Sequence, residues 1–583
     1  MNIRRRYPTR RHRLGAVLAV LLLTLPFTAT PATATPATAT PAPADPEPGQ
    51  RASVTSTLPY QLIAKARPDE CFNGIGVVYP AGPPCAQGQP KVNQAYVWGL
   101  AQVGTRVWFG TGANVHCVVQ GATLGEPQPV AIPDYVCEYG ESQIVKQNPI
   151  VPAAVGDQRR PEVFYFDQTT RTVVRKTTDI ENASAADQLR LRATLGLRAG
   201  GAFNNVVLFG GPGLNNSINL FAFNGTTGAF LGSTNLTAYG NIRHFVVAEG
   251  ALYAGVGIGR NGEDGGQVLR WTGSLTNPFS FVTVANLPAQ AADLTYFKGR
   301  IYVSSWSTAL ASTPQQTAGL WMSPLLADGQ PGLVAGDAGS WRQVWHARMY
   351  EPDPVIAGTY GLGGLAAFGD YLYWGTMHVP LKSAFALRLR YPQPSDEANC
   401  QLLKSSLRAA VVFRGRDFGA TNQQVDLLYG ASELSTYDPA ANAGVGGWVN
   451  RPTNYTPLYG SQGIGNGYNN YLWKMTVAGG KLFVGTMDWS YLLKGRLGSG
   501  RCGHDMGEYN DYGGDLWMFS TPDGPGTPVD TVGVGNYLNY GIRNMLADGS
   551  RLYLGMANPM NLRTDPNDAV PEGGWELIEM TVG

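Results

Sequence analysis

The chain has 583 residues, of which 44% are hydrophobic and 15% charged, with 74 glycines and 40 prolines. This composition favours short strands and tight turns over long helices. The formal net charge is +1, and it becomes about −5 once the six arginines of residues 1–34 are removed, which argues against non-specific binding to nucleic acid or anionic lipid.

Residues 1–34 have the features of a signal peptide. Arginines precede an apolar run at residues 14–27, and Ala32-Thr33-Ala34 fits a cleavage site. Residues 35–55 are rich in Pro, Thr and Ala, which predicts an extended linker. No later apolar run is long enough to span a bilayer. We therefore expect a secreted, extracellular protein with no membrane insertion.

One pattern recurs within residues 56–583. An apolar strand leads through a small turn to an aromatic-rich strand that ends in Gly or Ser, and further strands follow. Four-stranded units repeated radially form a propeller, so the pattern predicts an all-β, seven-bladed β-propeller. The copies lie at residues 95–112, 195–211, 241–257, 292–306, 361–377, 472–487 and 541–557.

The two ends of the mature chain complement each other in this scheme. The last copy stops after its third strand, and residues 57–65 read as a strand that precedes the first copy. We expect this N-terminal strand to complete the last blade and close the ring. Insertions are predicted at about residues 117–158, 392–470 and 488–512, and long loops on a rigid scaffold often carry function.

The repeat resembles that of secreted bacterial propellers with an LYVGT-x-N … G-x-x-LW signature. The segments that carry the resemblance are LYLGMANP, from Leu552, and GGWELIEM, from Gly573. The resemblance spans the blades and implies the fold. It implies no catalytic residue, because this group has no defined activity.

All six cysteines follow the predicted signal peptide, and an even number in an exported protein indicates three disulfides. Fifteen connectivities are possible. Proximity in sequence favours pairing Cys71 with Cys85 and Cys117 with Cys137, which leaves Cys400 for Cys502.

The repeat predicts a ligand site at the mouth of the central channel. When the copies are aligned on the Gly or Ser that ends the second strand, the position twelve residues earlier falls near the top of each inner strand. Guanidinium groups converging there suit an anion, and Trp faces suit sugar rings. The residues at this position are Trp98, Arg198, Arg243, Ala292, Gly363, Trp473 and Arg543.

Two alternatives to an anion site remain open at this point. Each arginine could instead pair with an acid from a neighbouring blade and hold the ring together. A one-residue error in the alignment would also turn the side chains to another face.

The loops that leave the second strands supply further candidates. His378 and Asp488 occupy equivalent places in adjacent blades, where they could act as a general acid and base. Asn558 occupies the same place in the last blade and is a candidate ligand contact. The alternative is that such side chains only form hydrogen bonds with the backbone of the loop.

No motif for a cofactor is present. The acidic segment 502–515 could supply oxygen ligands to Ca²⁺, but its spacing does not match a known calcium loop. The expected partner is therefore a small anionic ligand or glycan, bound by a monomer. The alternatives are a glycoside hydrolase or lyase that acts on acidic polysaccharide, and a structural or adhesive protein of the cell surface.

Overall fold

The computed structural model describes residues 53–75, 85–119, 121, 130–131, 134–146, 148–152, 155–309, 311–326, 332–492, 512–564 and 572–583. The predicted signal peptide and almost all of the predicted linker lie outside these residues. Within them, no helix has the length and apolar character needed to cross a membrane.

The strands of the first half of the chain alternate with tight turns. They are β1 (Tyr60–Lys65), β2 (Glu70–Phe72), β3 (Gln89–Lys91), β4 (Gln94–Val103), β5 (Arg106–Ala113), β6 (Val130–Ala131), β7 (Val136–Cys137), β8 (Val163–Asp167), β9 (Thr172–Arg175), β10 (Ala199–Phe203), β11 (Val206–Pro212), β12 (Ile218–Asn224), β13 (Phe230–Leu236), β14 (Asn241–Ala248), β15 (Ala251–Gly257), β16 (Gly266–Trp271) and β17 (Phe281–Leu287).

The second half continues the same alternation with longer connections. Its strands are β18 (Gln290–Phe297), β19 (Arg300–Trp306), β20 (Gly319–Met322), β21 (Arg342–His346), β22 (Gly361–Phe368), β23 (Tyr371–Met377), β24 (Val412–Arg416), β25 (Gln424–Tyr429), β26 (Glu433–Asp438), β27 (Gly447–Pro452), β28 (Asn469–Ala478), β29 (Lys481–Asp488), β30 (Leu516–Phe519), β31 (Thr527–Asp530), β32 (Gly541–Asp548), β33 (Arg551–Ala557) and β34 (Glu576–Thr581).

Helices lie only in the connections between strands of the described chain. The α-helices are α1 (Val115–Val118), α2 (Gln143–Lys146), α3 (Thr177–Glu181), α4 (Ala185–Arg192), α5 (Pro354–Ala357), α6 (Lys382–Arg390), α7 (Asp396–Ser406) and α8 (Ala441–Gly444). Short 3₁₀ turns cover Arg260–Gly262, Pro314–Gln316, Ala335–Gly339, Ala347–Met349 and Gln462–Gly465.

The strands pair into four-stranded antiparallel sheets, seven of them in the described chain, which we call blades 1 to 7. In chain order they are β4-β5-β8-β9, β10 to β13, β14 to β17, β18 to β21, β22 to β25, β28 to β31, and β32-β33-β34-β1.

The blades follow one another around a common axis. The first strand of each blade packs against the first strand of the next, and β32 of blade 7 packs against β4 of blade 1. Strand β1 pairs with β34, from Tyr60 opposite Met580 to Lys65 opposite Glu576. The predicted all-β propeller fold is confirmed, and the two ends of the described chain share one sheet.

Each pair of neighbouring blades shares its own cluster of buried apolar side chains. The glycine that ends the second strand makes this packing close. A Cβ on Gly485 would come within 2.8 Å of the Ile542 Cβ in the next blade. The recurrence of Gly at this place therefore follows from the close approach of adjacent sheets.

The structure corrects the boundaries of one predicted insertion. Residues 392–470 contain β24 and β25, which complete blade 5, so this stretch is not one continuous excursion. The additions to the blade are α6 and α7 before β24 and the β26–β27 hairpin after β25. Most of the predicted insertion 488–512 lies outside the described residues.

Two of the predicted disulfides are present. Cys71 is bonded to Cys85, and Cys117 is bonded to Cys137. Cys400 is also disulfide-bonded. Its predicted partner, Cys502, lies outside the described residues.

Candidate functional site

A cavity of about 320 Å³ lies at the end of the channel where the inner strands begin. The aligned residues Arg198, Arg243, Arg543, Trp98 and Trp473 all line it. The described lining also includes Tyr96, Val115, His116, Asn261, Glu263, Gln290, Trp306, Val379, Lys382, Tyr471, Trp489 and Tyr540.

A repeated β-bulge turns the aligned residues toward the channel. In blade 3 the register shifts between Ile242 and His244, which leaves Arg243 as the extra residue. The same shift occurs at Trp98, Trp473 and Arg543. An extra residue in one strand interrupts the strict alternation of faces and re-aims a side chain. In these four blades the aligned residue therefore reaches the cavity through a shared backbone irregularity, whereas Arg198 directly precedes β10.

Each guanidinium lies against a tryptophan of a neighbouring blade. The Arg243 guanidinium carbon is 4.1 Å from the centroid of the Trp306 ring. The corresponding distances are 5.4 Å for Arg198 over Trp98 and 5.5 Å for Arg543 over Trp473. The tryptophans thus orient the guanidinium groups through cation–π contacts.

No guanidinium of this trio forms an ion pair with a described residue. Arg198 donates to Asn241 Oδ1 at 3.1 Å, and Arg243 donates from Nε to Gln290 Oε1 at 3.1 Å. The buried Nε atoms of Arg198 and Arg543 have no hydrogen-bond partner in the described chain. Both N–H groups are therefore buried without a compensating hydrogen bond to the described residues.

The pKa values of the three arginines reflect their burial without an ion pair. Burial, followed by the charges of Arg243 and Arg543, lowers the pKa of Arg198 well below its ordinary value. Burial lowers the pKa of Arg243 to about 9 and that of Arg543 to about 10. Arg243 and Arg543 still keep their protons at neutral pH. The site is therefore a concentration of desolvated positive charge.

Tyr471 lies among the three guanidinium groups. Burial raises the pKa of its hydroxyl, although Arg243 and the other two arginines act in the opposite direction. Its ring makes edge contacts with Trp306 and Trp473, at centroid distances of 6.3 and 5.6 Å. The Tyr471 hydroxyl therefore stays neutral and can donate a hydrogen bond.

A second group of polar side chains lies one residue further along the inner strands than the aligned position. Lys474 donates to both Asp293 carboxylate oxygens at 2.9 and 3.0 Å, and His244 Nε2 lies 3.4 Å from Asp293 Oδ1. Burial lowers the pKa of His244 to about 4, so its imidazole is neutral at physiological pH. Lys474 and Asp293 thus form a buried ion pair, and the Asp293 carboxylate also favours the charged form of Arg543 without forming an ion pair with it.

The connections outside the blades build the walls of the cavity. Helix α1 contributes Val115 and His116, and Lys382 stands at the start of α6. Glu263 enters from the β15–β16 loop and favours the charged form of Arg243 and Lys382. Val118 and Pro152, which lie within the predicted insertion 117–158, also line the cavity, so that insertion contributes to the site.

The structure does not bring His378 to the cavity. Its side chain is buried, its Nε2 lies 2.9 Å from Thr376 Oγ1, and its ring packs edge-on against Tyr360. Burial lowers the pKa of His378 to about 3. The imidazole is thus a neutral group within the wall of blade 5.

Asp488 and Asn558 also lie outside the cavity lining. Asp488 accepts a hydrogen bond from Asn466 at 2.6 Å, and burial raises its pKa to about 7. Asn558 is fully buried and donates to the Glu572 carbonyl at 2.9 Å. The backbone N–H groups of these three residues donate to carbonyls at the start of the next blade, and none of the three side chains lines the cavity.

The proposed calcium ligands fall mostly outside the described residues. Asp515, the described member, accepts a hydrogen bond from Asn469 at 2.6 Å. No cluster of three or more His, Cys, Asp or Glu side chains in the described part of the chain has a geometry suited to a metal ion.

Some residues that line the cavity could not be found from the aligned position of the repeat. Tyr96 and Tyr471 stand two residues before Trp98 and Trp473, but the bulge at the aligned position interrupts the alternation of faces, so strand spacing does not indicate these tyrosines. Trp306 ends a second strand, and Lys382 belongs to a helix outside the repeat. No repeat pattern indicates these two residues.

The fold and the cavity together define a β-propeller with a cationic, aromatic site at one channel mouth. No protein-family model matches the chain, and no curated protein matches it. Similar solved structures include the β-propeller domain of the Trilobed protease from Pyrococcus furiosus, with 7% identity and a TM-score of 0.28, covering 75% of this chain and 98% of that one.

Two further solved structures have slightly higher TM-scores. The Dos1 propeller has 9% identity and a TM-score of 0.37, covering 88% of this chain and 95% of that one. The polysaccharide lyase Uly1 has 8% identity and a TM-score of 0.39, covering 91% of this chain and all of that one. Likeness at this level concerns the fold and not what the chain binds.

Proposed function

We propose that this chain is an exported propeller that binds an anionic small molecule or an acidic glycan end at the channel mouth. The observation that carries the proposal is the convergence of Arg198, Arg243 and Arg543 on one cavity, where none of them forms an ion pair with a described carboxylate. A buried charge without a partner is costly, and a bound anion removes that cost.

The arrangement of these side chains favours ligand binding over a structural role or the cleavage of a glycan. Inter-blade ion pairs would support a purely structural role, but the three arginines form none with the described residues. Hydrolysis of a glycoside commonly uses two carboxyl groups on either side of the scissile bond. Among the described lining residues only Glu263 carries a carboxylate. The hydrolase and lyase alternatives therefore have less support.

Export is the second part of this proposal. The disulfides Cys71–Cys85 and Cys117–Cys137 suit an oxidising compartment, where such bonds persist. The N-terminal signal predicted from the sequence would deliver the chain there. Comparison of the purified N-terminus with the precursor, by mass spectrometry of the culture medium, tests this part.

A thermal-shift screen at low salt tests the binding proposal. The probes are phosphate, sulfate, glucuronate and sialic acid, because a ligand that binds only the folded state raises the melting temperature. We expect at least one anion to raise it, by an increment equivalent to about 2.7 kcal/mol at a hundredfold excess over Kd.

Two variants make the screen specific to the cavity. Arg543→Gln removes a lining cation and should abolish the anion-induced shift. Arg451→Gln removes an exposed arginine that pairs with Asp438 at 2.9 Å, and it should leave the shift unchanged. An absence of any shift in the unmodified protein, with all four anions, would refute the proposal.

A further inference from the structure

The cavity has a larger excess of positive charge than one monoanion can balance. Its described lining contains four buried or half-buried cations and one carboxylate, while Arg260 is exposed at the rim. The Asp293 carboxylate adds nothing to the balance, because Lys474 neutralises it. The cations are Arg198, Arg243, Arg543 and Lys382, and the carboxylate is Glu263.

The hydrogen-bond donors also surround the site. The arginines come from blades 2, 3 and 7, and Tyr471 comes from blade 6. Lys382 comes from α6, which connects the second and third strands of blade 5. A carboxylate accepts hydrogen bonds in a single plane, whereas a tetrahedral oxyanion presents oxygens in several directions. Donors on several sides of one axis match the second geometry better.

We propose that the ligand of this cavity carries a dianionic, tetrahedral oxyanion, and that it is a phosphate monoester of a small ring compound. The inference rests on the proposed anion-binding function and adds the class of head group. The volume of about 320 Å³ fits one small molecule rather than a polymer segment. The aromatic rings of the lining suit an apolar or ring-shaped body beyond the phosphate.

Three probes with one phenyl body separate charge from shape. Phenyl phosphate is mainly a dianion at pH 7.5, whereas phenyl sulfate and benzoate are monoanions. Isothermal titration of the full-length secreted protein should give an affinity for phenyl phosphate at least about tenfold above that for either monoanion. Inorganic phosphate, titrated alongside, should bind more weakly than phenyl phosphate because it lacks the ring.

The pH dependence provides an independent readout. The second ionisation of a phosphate monoester lies near pH 6, whereas a sulfate ester keeps its single charge throughout this range. We expect the affinity for phenyl phosphate to fall about fivefold or more between pH 7.5 and pH 5. Phenyl sulfate reports any contribution from ionisable groups of the protein that face the ligand, such as His116 and Glu263.

A lysine variant tests the charge argument within the cavity. Lys382→Met should reduce the preference for phenyl phosphate over phenyl sulfate. Lys298→Met, at an exposed lysine that pairs with Asp370 at 3.1 Å, should leave that preference intact.

The outcomes distinguish this inference from the function on which it rests. If phenyl sulfate or benzoate binds as tightly as phenyl phosphate, the dianion inference is wrong while anion binding stands. Tighter binding of inorganic phosphate than of phenyl phosphate would reject the monoester and keep the oxyanion. Failure of every probe to bind would reject the proposed function as well.

Discussion

The Arg243 guanidinium carbon lies 4.1 Å from the centroid of the Trp306 ring, although the two residues belong to different blades. Arg243 occupies the bulge of β14, and Trp306 ends β19 of blade 4. The indole therefore covers one face of the guanidinium, while the Nε–H group donates to Gln290. Contact between the two blades thus sets the orientation of the Arg243 guanidinium.

Loss of this ring should weaken ligand binding more than stability alone explains. Trp306→Leu removes the cation–π contact, which has a typical free energy of about 0.5–2 kcal/mol. We expect a three- to thirtyfold lower affinity for the anion that the thermal-shift screen identifies, measured by titration of the folded variant. Trp271→Leu, at a buried tryptophan that does not line the cavity, should lower stability and keep the affinity.

The position of Arg543 could be predicted because its backbone setting repeats. In blades 1, 3, 6 and 7 the aligned glycine of the second strand lies opposite the residue after the bulge, as Gly555 lies opposite Asn544. A count of twelve residues back from that glycine therefore finds the bulge in each blade that has one. The fold could be predicted for the same reason, since the hairpins recur with their turns and glycines.

Residues outside the repeat could not be predicted in this way. The third and fourth strands of blade 5 are separated from their hairpin by α6 and α7, which hides them from a pattern of regular spacing. His378 stands after a second strand, where the repeat suggested a group at the channel mouth, yet its imidazole is buried and packs against Tyr360. Lys382 reaches the cavity only through the packing of α6, a relationship between distant elements.

Arg543 is buried without an ion pair to a described residue, which has a consequence for stability. Arg543→Met removes this desolvated cation and replaces it with an apolar side chain of similar length. In buffer without a binding anion, we expect the free energy of unfolding to rise by about 1–2 kcal/mol, because the desolvation cost disappears. Differential scanning calorimetry in a non-coordinating buffer measures this change.

Arg408 supplies the matched comparison for that experiment. It is also buried, but it pairs with Glu351 through contacts of 2.7 and 3.1 Å. Arg408→Met leaves Glu351 as an unpaired buried charge, so stability should fall by about 3–5 kcal/mol. Two buried Arg→Met changes of opposite sign would confirm the difference in pairing. A similar loss of stability for Arg543→Met would show that its charge is compensated within the protein.

The Cys117–Cys137 disulfide should affect both stability and binding. It closes a loop of 20 residues beside α1, and α1 supplies Val115 and His116 to the cavity. For a loop of this size, the loss of chain entropy in the unfolded state corresponds to about 3 kcal/mol. We expect the Cys117→Ser, Cys137→Ser double variant to melt at a lower temperature and to bind the anion less tightly.

The other disulfide is the control for this effect. The Cys71–Cys85 pair closes a loop of similar length and does not line the cavity. Its double serine variant should lose comparable stability while its anion affinity stays unchanged when measured well below the melting temperature. Equal loss of affinity in both variants would contradict a specific role for the α1 wall.

His378 should contribute to acid unfolding of the propeller. Burial lowers its pKa in the folded state to about 3, whereas an exposed histidine in the unfolded chain has a pKa near 6.5. Between these values the unfolded state binds more protons than the folded state, so the free energy of unfolding falls as the pH falls. His378→Gln removes this proton uptake. Relative to the unmodified protein, we expect the variant to lose roughly 2–3 kcal/mol less stability between pH 6.5 and pH 4. Urea unfolding across this range measures the difference.

The values at pH 8 supply the internal control for the His378 experiment. The imidazole is neutral in both states there, so the comparison reports only lost packing and the lost Thr376 contact. Parallel pH profiles for the two proteins would contradict a neutral, buried imidazole at this position.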